Sequence, residues 1–385
     1  MQAVILAAGE GKRVRPLTRN RPKAMIPVAN RPIIEYAIEA LVKNGIRDIV
    51  VVVGYRKEQV IRYLNQLDVP IDVVVQDKQL GTGHALLSAQ SRLSDNFLVI
   101  PGDNYIDPLS ISRIKETANS MLIKEHPNPS NFGVVTLHNG HVTSIVEKPE
   151  SAPSLTVSTG IYSLTPDVFS YIEGNDLTDA ISTMIRDDIK IKGLPADDWQ
   201  DAIFAWDLLK MNRGLLHTTL SPAREGMMSR HAIIQGHVRI GKGSTIGPNT
   251  VITGPVVIGN DCTIGPNCCI MPETSIGSRV TVEPFTVIGD AVIMDDTTIG
   301  SHSRLISSVV GERCSLAPHT SSWKSQGILD IEGSATRSEF GVIFGDTISG
   351  GPFSVYKNSI IGNNVTIEGN TTLSSRYIPD NSTVI

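Results

Sequence analysis

Aliphatic side chains recur at every sixth position in the second part of the chain. No α-helix has this period, so these residues cannot form one face of a helix. The position four residues after an aliphatic one is small, and the pattern therefore predicts short strands wound into a coil that stacks repeat upon repeat. The aliphatic series is Ile234, Ile240, Ile246, Ile252, Ile258, Ile264, Ile270, Ile276, Val282, Ile288 and Met294, and the small series is Ser244, Thr250, Val256, Cys262, Cys268 and Thr274.

This repeat resembles the hexapeptide of the left-handed parallel β-helix, a fold that often assembles as trimers. We therefore expect a homotrimer or a multiple of one. The repeat slips by one residue near Ile299, resumes at Leu305, and breaks between residues 319 and 351. Cys262 and Cys268 are interpreted as small inward-facing spacers, because burial at a repeat position is much commoner for such residues than metal binding.

The first part of the chain alternates apolar runs with segments of helical periodicity. Strands are predicted at 3–6, 49–53, 71–75 and 97–100, and a helix is predicted between Pro32 and Gly45. This alternation is typical of a parallel sheet covered by helices. Ligands of such sheets bind at the carboxyl ends of the strands, which places residues 9–18 and 102–104 at one edge. We predict domains at 1–222 and 231–385, separated by a polar linker without repeats.

Charge and composition exclude several classes of protein. The 385 residues carry a formal net charge of -5, with a pI near 6.0, so neither a nucleic acid nor an anionic membrane is expected as a partner. The four cysteines have no disulfide-like or zinc-like spacing. No leader or membrane-spanning stretch is recognisable, and a cytoplasmic location is expected.

The stretch LAAGEGKRVRPLT, from Leu6 to Thr18, predicts a phosphate-binding loop. Gly9 and Gly11 are followed by Val14 rather than by a third glycine, which excludes the dinucleotide fingerprint and a nicotinamide-dependent oxidoreductase. Backbone N–H groups and arginine forks after a glycine turn together suit a triphosphate. The basic residues of this region are Lys12, Arg13, Arg15, Arg19, Arg21 and Lys23.

These residues resemble the signature of the sugar-1-phosphate nucleotidylyltransferase family. The similarity continues through RPKAMIPV, QDKQLGTGHAL, PGDN, NFGVV, IVEKP, STGIY and WQDAIFAWDLL, in the order of the family. The resemblance implies a Rossmann-like α/β nucleotidyltransferase domain followed by a left-handed β-helix. It also implies an Mg²⁺-dependent reaction of UTP or dTTP with a hexose 1-phosphate of the glucose or N-acetylglucosamine type, which releases pyrophosphate.

The resemblance also implies roles for individual residues. Arg13 would act on the leaving pyrophosphate, Lys23 on the reacting phosphates, and Asp103 with Asp201 on Mg²⁺. An N-cap or loop role is the alternative for Asp201, because Ile203 and Ala205 stand where the family commonly has glycine and proline. The nucleotide would contact Leu6, Ala7, Ala8, Gly9, Gly11, Gln76, Gly81 and Thr82. The sugar would contact Gly133, Glu147, Lys148, Thr159 and Gly160, although Ser158 replaces an asparagine that is frequent in relatives.

Two further functions are weighed for this chain. Relatives of the bifunctional type transfer an acetyl group from acetyl-CoA with a histidine base, for which His302 and His319 are the candidates. The relatives' glycine-rich segment is replaced by LAPHTSSW, so we expect acetyl transfer to be absent or weak and the β-helix to serve mainly in assembly. The other alternative is a non-catalytic regulatory subunit, which retention of the loop residues disfavours.

Overall fold

The computed structural model describes residues 1–385 and consists of two compact units. The first unit contains Met1–Glu10, Arg21–Met25 and Pro32–Asp201. The second unit contains Gly11–Asn20, Ile26–Arg31 and Ala202–Ile385. The signature region, residues 6–28, is therefore divided between the two units. Lys23 belongs to the first unit, whereas residues 11–20 and 26–31 on either side of it belong to the second.

A nine-stranded sheet forms the centre of the first unit. Its strands have the order β3-β2-β1-β4-β8-β5-β9-β7-β6. Strands β1 to β4 are parallel to one another, and Ile5 aligns with both Val51 and Ile100. The strands are β1 (Gln2–Ala7), β2 (Asp48–Val53), β3 (Ile71–Val75), β4 (Phe97–Pro101), β5 (Ser120–Glu125), β6 (Gly133–His138), β7 (His141–Glu147), β8 (Thr156–Leu164) and β9 (Lys192–Pro195).

The four predicted strands are all present, but the sheet is not wholly parallel. Strand β8 runs antiparallel to both β4 and β5, and β6 and β7 form an antiparallel hairpin. The hairpin turn contains Asn139 and Gly140, both with positive φ, and such a two-residue turn joins antiparallel strands. Strands β1, β2 and β4 are buried along most of their length, as expected of strands covered on both faces, whereas no residue of the edge strand β3 is buried.

The helix predicted between Pro32 and Gly45 is present as Ile33–Lys43. Pro32 occupies its N-cap position, and Gly45 adopts φ +77° just beyond its end, where a left-handed residue terminates a helix. None of the six α-helices is long and apolar enough to cross a bilayer. They are α1 (Ile33–Lys43), α2 (Lys57–Leu64), α3 (Thr82–Ser88), α4 (Pro108–Ile114), α5 (Leu177–Arg186) and α6 (Asp207–Thr219). Single 3₁₀ turns span Lys12–Val14, Lys23–Met25, Gln90–Arg92 and Pro129–Asn131, and a longer one spans Pro166–Tyr171.

The second unit contains a parallel β-helix, so the predicted fold class is confirmed. Equivalent residues of successive coils pair in register, as Ile240 does with Ile258 and Ile258 with Ile276. Three hexapeptides thus complete one coil. Its strands are Ala223–Arg224, Met227–Met228, Ile233–Gln235, Val238–Ile240, Thr245–Ile246, Val251–Thr253, Val256–Ile258, Thr263–Ile264, Cys269–Ile270, Thr274–Ile276, Thr281–Val282, Val287–Ile293, Thr298–Ile299, Arg304–Val310, Ser315–Leu316, Ser321–Trp323, Val342–Phe344, Ser349–Gly350, Val355–Lys357, Ser359–Ile361, Thr366–Ile367, Thr372–Ser374, Tyr377–Ile378 and Thr383–Val384.

The repeat slips earlier than the sequence pattern predicted. Ile288 pairs with Ile270, a full set of three hexapeptides before it, whereas Ile293 pairs with Ile276 and is one position short of that distance. The missing residue is therefore lost between 288 and 293, where Asp290 has a positive φ. Met294 is consequently not the residue that continues the paired series, and the predicted position near Ile299 is wrong.

The β-helix also contains the predicted break in the repeat and the two cysteines interpreted as spacers. The break in the repeat is an antiparallel hairpin of Ser325–Ile331 and Ser334–Phe340. Cys262 and Cys268 are buried, and their thiols donate to the carbonyl oxygens of Gly277 at 3.0 Å and Glu283 at 3.2 Å. Their interpretation as inward-facing spacers is confirmed.

Candidate functional site

The residues that follow β1 lie where three parallel strands end. The carbonyl oxygen of Leu6 accepts from the N–H of Gly102 at 2.9 Å, and that of Ala8 accepts from Tyr55 at 3.0 Å. A Cβ atom added at Gly9 would meet no atom within 4 Å. The predicted nucleotide-binding stretch from Leu6 through Ala7 and Ala8 to Gly9 therefore ends in open space, as a phosphate cradle requires.

The loop that continues from Gly11 to Asn20 is internally ordered. Gly11 adopts φ +71° and precedes a 3₁₀ turn that contains Arg13. The Thr18 hydroxyl closes the loop by donating to the Gly11 carbonyl at 2.9 Å. Leu17 is fully buried, whereas the side of the loop that carries Arg13 is partly exposed. The loop thus presents a cation on a backbone fixed by its own packing.

Lys23, Asp103 and Asp201 converge in the first unit. The short strand Asn104–Ile106 pairs antiparallel with Trp199–Asp201, and Asn104 lies opposite Asp201. This register brings Asp103 beside Asp201, although the two residues are far apart in sequence. Lys23 Nζ lies 2.9 Å from Asp103 Oδ2 and 2.6 Å from Asp201 Oδ1. Three of the residues predicted to act in catalysis are therefore brought together.

Lys23 is a buried cation held by two carboxylates. Its side chain is 9% exposed, against 36% for Asp103. Burial alone would lower the pKa of the ammonium, but Asp103 and Asp201 outweigh burial and raise the pKa above its ordinary value. Lys23 is therefore protonated at every physiological pH.

Asn104 supports this cluster and was not predicted as a site residue. When its amide is oriented to suit its neighbours, Nδ2 donates to Asp201 Oδ1 at 3.0 Å and Oδ1 accepts from Trp199 Nε1 at 3.2 Å. Trp199 in turn packs edge-on against Phe132, with ring centroids 5.3 Å apart. The signal for Asn104 was its position in PGDN, directly after Asp103.

The donor set suits Mg²⁺ better than a metal held by protein alone. No group of three or more His, Cys, Asp or Glu side chains forms a metal cluster in the chain. Asp103 and Asp201 already share one cation, the Lys23 ammonium. Two carboxylates together with substrate phosphates and water are the usual protein environment of Mg²⁺.

The predicted base-binding residues lie together between β3 and α3. Gln76 is buried, and its Nε2 donates to the Gly81 carbonyl at 3.1 Å. Gly81 adopts φ +135°, and a Cβ there would lie 2.4 Å from the Asn175 carbonyl oxygen. Thr82 Oγ1 accepts from the Leu177 N–H at 3.0 Å. A fixed backbone turn therefore surrounds the Gln76 amide.

The predicted sugar-binding residues lie on β6, β7 and β8. Gly133 lies opposite Glu147 in the hairpin register, and Lys148 Nζ contacts Glu147 Oε1 at 2.7 Å. Thr159 is buried, and its hydroxyl donates to the Leu122 carbonyl at 2.9 Å. The structure thus brings Gly133, Glu147 and Lys148 together. The hydroxyl proton of Thr159 is already donated within the protein.

A bulge in β8 contains two more residues of interest. The strand register shifts between Ser158 and Tyr162, and Gly160 within the bulge adopts φ +76°. The Ser158 hydroxyl lies 3.1 Å from the Tyr162 hydroxyl. Burial, with a smaller contribution from Glu147, raises the pKa of Tyr162 to about 12. Sequence reasoning missed this buried, neutral phenol because tyrosine in a strand usually indicates packing alone.

His302 and His319 lie in a column of stacked rings on the β-helix. The order is Phe285, His302, His319 and Phe353, with successive centroids 4.9, 5.1 and 4.6 Å apart. All four residues have φ near +60° and are exposed. The column repeats the same turn position from one coil to the next. Repetition of the fold therefore accounts for the placement of both histidines.

Comparison with known proteins decides the family. The model of the family described as "Nucleotidyl transferase" matches residues 2–212. The chain belongs to the nucleotidyl transferase family. This finding confirms the predicted recognition and the predicted enzyme class. A second model, "GMPPB C-terminal domain", matches residues 252–385.

Individual relatives cover much of the chain. It is 36% identical over 397 residues to "Bifunctional protein GlmU" of Methanococcus maripaludis, covering 96% of this chain and 95% of that protein. It is 35% identical over 268 residues to "Bifunctional sugar-1-phosphate nucleotidylyltransferase/acetyltransferase" of Sulfurisphaera tokodaii, covering 65% and 64% of the two chains. Among solved structures, a UDP-glucose pyrophosphorylase from Acinetobacter baumanii has a TM-score of 0.50 and 27% identity, covering 57% of this chain and 95% of the other.

Proposed function

We propose that this protein is a sugar-1-phosphate nucleotidylyltransferase that joins UTP or dTTP to a hexose 1-phosphate and releases pyrophosphate. The observation that carries the proposal is the convergence of Lys23, Asp103 and Asp201 in a chain of the nucleotidyl transferase family. The names of the relatives, which include a sugar-1-phosphate nucleotidylyltransferase and a UDP-glucose pyrophosphorylase, support the sugar phosphate as acceptor.

The chemistry needs little from protein nucleophiles. A phosphate oxygen of the sugar 1-phosphate is already an anion, and it displaces pyrophosphate in line at the α-phosphorus. Catalysis is therefore positioning together with neutralisation of crowded negative charge. Arg13 acts on the departing pyrophosphate and Lys23 on the reacting phosphates. The permanently charged Lys23 suits this electrostatic role and does not suit that of a general base.

Mg²⁺ completes the proposal. Asp103 and Asp201 would hold it, and the ion would supply neutralisation of phosphate charge. Lys23 pairs with the same two carboxylates, and its ammonium would contact the phosphates when those carboxylates hold the ion. The nucleotide contacts Leu6 to Gly9, Gly11, Gln76, Gly81 and Thr82. The sugar contacts Gly133, Glu147, Lys148, Thr159 and Gly160.

The experiment is a pyrophosphate-release assay of several triphosphates against several sugar 1-phosphates, with and without Mg²⁺. We expect release with UTP or dTTP and a glucose-type sugar, and no release after chelation. The Asp103→Asn variant is the matched control, since it preserves the shape of the side chain and removes its charge. Silence in every combination would favour the regulatory-subunit alternative. Release unaffected by chelation would refute the role of Mg²⁺.

The organisation of the chain belongs to the same proposal. Residues 1–222 constitute the nucleotidyltransferase domain, and residues 231–385 the β-helix, which serves mainly in assembly. We propose a homotrimer or a multiple of one. Phe285 and Phe353, 52% and 56% exposed on the ring column, support an apolar subunit contact. Light scattering at micromolar concentration measures the mass, and a clean monomer would contradict assembly.

A further inference from the structure

Three polar residues occupy the same turn of three successive β-helix coils. They are Asp346, Asn363 and Asp380, and we call them the Asx column. Each uses one side-chain oxygen to accept a backbone N–H of the preceding coil. Asp346 Oδ1 accepts from Glu312 at 2.9 Å, Asn363 Oδ1 from Asp346 at 2.7 Å, and Asp380 Oδ1 from Asn363 at 2.7 Å.

The second polar atom of each column residue contacts the signature loop 11–20. Asp346 Oδ2 accepts from Asn20 Nδ2 at 3.0 Å. Asn363 Nδ2 donates to the Pro16 carbonyl at 3.1 Å. Asp380 Oδ2 lies 3.3 Å from Arg19 Nε. The column thus contacts the loop at three points between residues 16 and 20.

The contacts of Asp346 and Asn363 involve buried column residues, whereas the pair of Asp380 with Arg19 is partly exposed. Asp346 is 0% exposed and Asn363 is 3% exposed, and Pro16 is also buried. A buried carboxylate or amide is retained at little cost only when its hydrogen-bonding capacity is met. Asn363 Nδ2 donates to Asp380 Oδ1 of the next coil at 3.2 Å, and the loop supplies its second acceptor, the Pro16 carbonyl. The hairpin adds Glu332, whose Oε1 lies 3.4 Å from Arg15 Nη1.

The equivalent position in a lower coil shows that the β-helix itself needs only the first contact. Asn260 follows a glycine as Asn363 does, and its Oδ1 accepts from the Lys242 N–H at 3.0 Å. Asn260 is exposed, and its amide makes no hydrogen bond to the loop. The coil-to-coil bond is therefore common to both positions, whereas the bond to the loop is particular to the column.

The other segment beside Lys23 is also held within the second unit. The Ala29 N–H donates to Asn212 Oδ1 at 2.9 Å, and Asn30 Nδ2 donates to the Ile276 carbonyl at 2.6 Å. Asn212 is buried in α6 and bonds to Ser275 of the β-helix. Both segments that flank residues 21–25 thus depend on the second unit for their position.

We propose that the Asx column positions the signature loop for nucleotidyl transfer, so that Asp346, Asn363 and Asp380 are positioning residues of a reaction whose groups lie near the opposite end of the chain. The expected change in kcat rests on the proposed function, whereas the contact between the column and the loop does not. A small displacement of a charge-stabilising group costs on the order of tenfold to a hundredfold in rate, and Arg13 lies three positions before Pro16 on the same loop.

The test compares Asn363→Asp with Asn260→Asp. Both exchanges keep the oxygen that caps the coil below, but only the first replaces with an anion the amide that donates to the Pro16 carbonyl and to Asp380 Oδ1. A second variant, Asp380→Asn, keeps Oδ1 and removes the charge opposite Arg19, which guards against misfolding of the first. We expect kcat to fall by about tenfold or more in Asn363→Asp, to fall less in Asp380→Asn, and to remain at the wild-type value in Asn260→Asp.

Limited trypsin digestion supplies a measurement that does not depend on activity. Cleavage after Lys12, Arg13 or Arg19 reports opening of the loop, and its rate should rise in both column variants but not in Asn260→Asp. Unchanged cleavage in the column variants overturns the contact. Faster cleavage with unchanged kcat overturns the positioning role, as does an equal loss in Asn260→Asp. If the wild-type protein transfers no nucleotide, the proposed function fails, while the digestion still decides whether the column holds the loop.

Discussion

At the scale of the residue, Lys23 shows how one side chain reconciles burial with charge. An ammonium with 9% exposure is costly unless anions surround it, and here two carboxylates do so. The ammonium also lies between the neighbouring carboxylates of Asp103 and Asp201 and offsets their mutual repulsion. Lys23 therefore holds together the two carboxylates that we propose as ligands of Mg²⁺.

Replacing Lys23 by Met should destabilise the protein by about 2–3 kcal/mol, because breaking a buried ion pair costs about 3–5 kcal/mol and the exposure of Asp103 reduces that figure. Since the folded pKa of Lys23 is raised, its stabilisation is fully present below the unfolded value near 10.5 and is lost as pH rises through the higher folded value. The melting-temperature difference between wild type and variant should thus be constant from about pH 6 to 9. A difference that vanishes within that range would contradict the ion-pair account.

Arg13→Ala should reduce nucleotidyl transfer by on the order of a hundredfold or more, the typical loss on removing one donor to transition-state charge. Its melting temperature should change little, because Arg13 is not part of the buried side of the loop. Steady-state kinetics at saturating substrate measure the effect. Near wild-type turnover would remove Arg13 from the catalytic assignment, whatever the melting temperature.

Sequence reasoning proposed site residues where chemistry and resemblance coincided. Lys23 was proposed for the reacting phosphates and Asp103 with Asp201 for Mg²⁺, and the structure places Lys23 in contact with both carboxylates. The contacts of Asn104 with this cluster and of Tyr162 with Ser158 were not predicted. The first depends on pairing with a strand that is distant in sequence, and the second on burial within a bulge. Neither long-range pairing nor burial can be inferred from one local stretch.

At the scale of the element, two glycines of the proposed nucleotide site differ in whether the fold itself requires glycine. Gly81 needs a conformation, φ +135°, that side chains rarely adopt, and a Cβ there would collide with the Asn175 carbonyl. Gly9 needs neither, because open space surrounds its missing Cβ. Packing within the protein therefore does not require glycine at this position.

Gly81→Ala should lower the melting temperature, since a strained backbone costs about 1–3 kcal/mol. Gly9→Ala should leave the melting temperature unchanged and weaken triphosphate binding, because the added methyl group occupies the space after β1. Thermal unfolding and titration calorimetry with a non-reacting triphosphate separate the two effects. An unaltered Kd in Gly9→Ala would refute its nucleotide-binding assignment.

The elements were predictable to the extent that one local pattern determined them. Runs of apolar residues located β1 to β4, and Pro32 with Gly45 located α1. The antiparallel strands were not predicted because their order depends on hairpins and on pairings between distant segments. The slip before Ile293 was misplaced because Met294 is also apolar, so composition alone could not tell which residue faces the core.

At the scale of the whole molecule, sequence order and structural unit do not coincide. The signature region appears continuous in the sequence, yet Gly11–Asn20 and Ile26–Arg31 belong to the second unit. The period of six predicted the β-helix itself, but not its contact with the signature loop. The turn residues Asp346, Asn363 and Asp380 make this contact in addition to their hydrogen bonds between coils. The repeat pattern predicts the bonds between coils but not the additional contact.

Acetyl transfer by the β-helix would be a separate activity. The name of the Sulfurisphaera tokodaii relative states that activity for that protein. A general base needs a ring nitrogen oriented toward its substrate. His302 and His319 instead stack between exposed phenylalanines, and neither ring is oriented by a hydrogen bond within the chain. We therefore expect little or no release of free thiol from acetyl-CoA and glucosamine 1-phosphate, from a preparation that is active in pyrophosphate release. Robust turnover that His302→Ala abolishes, with nucleotidyl transfer intact, would overturn this expectation and make His302 a catalytic base.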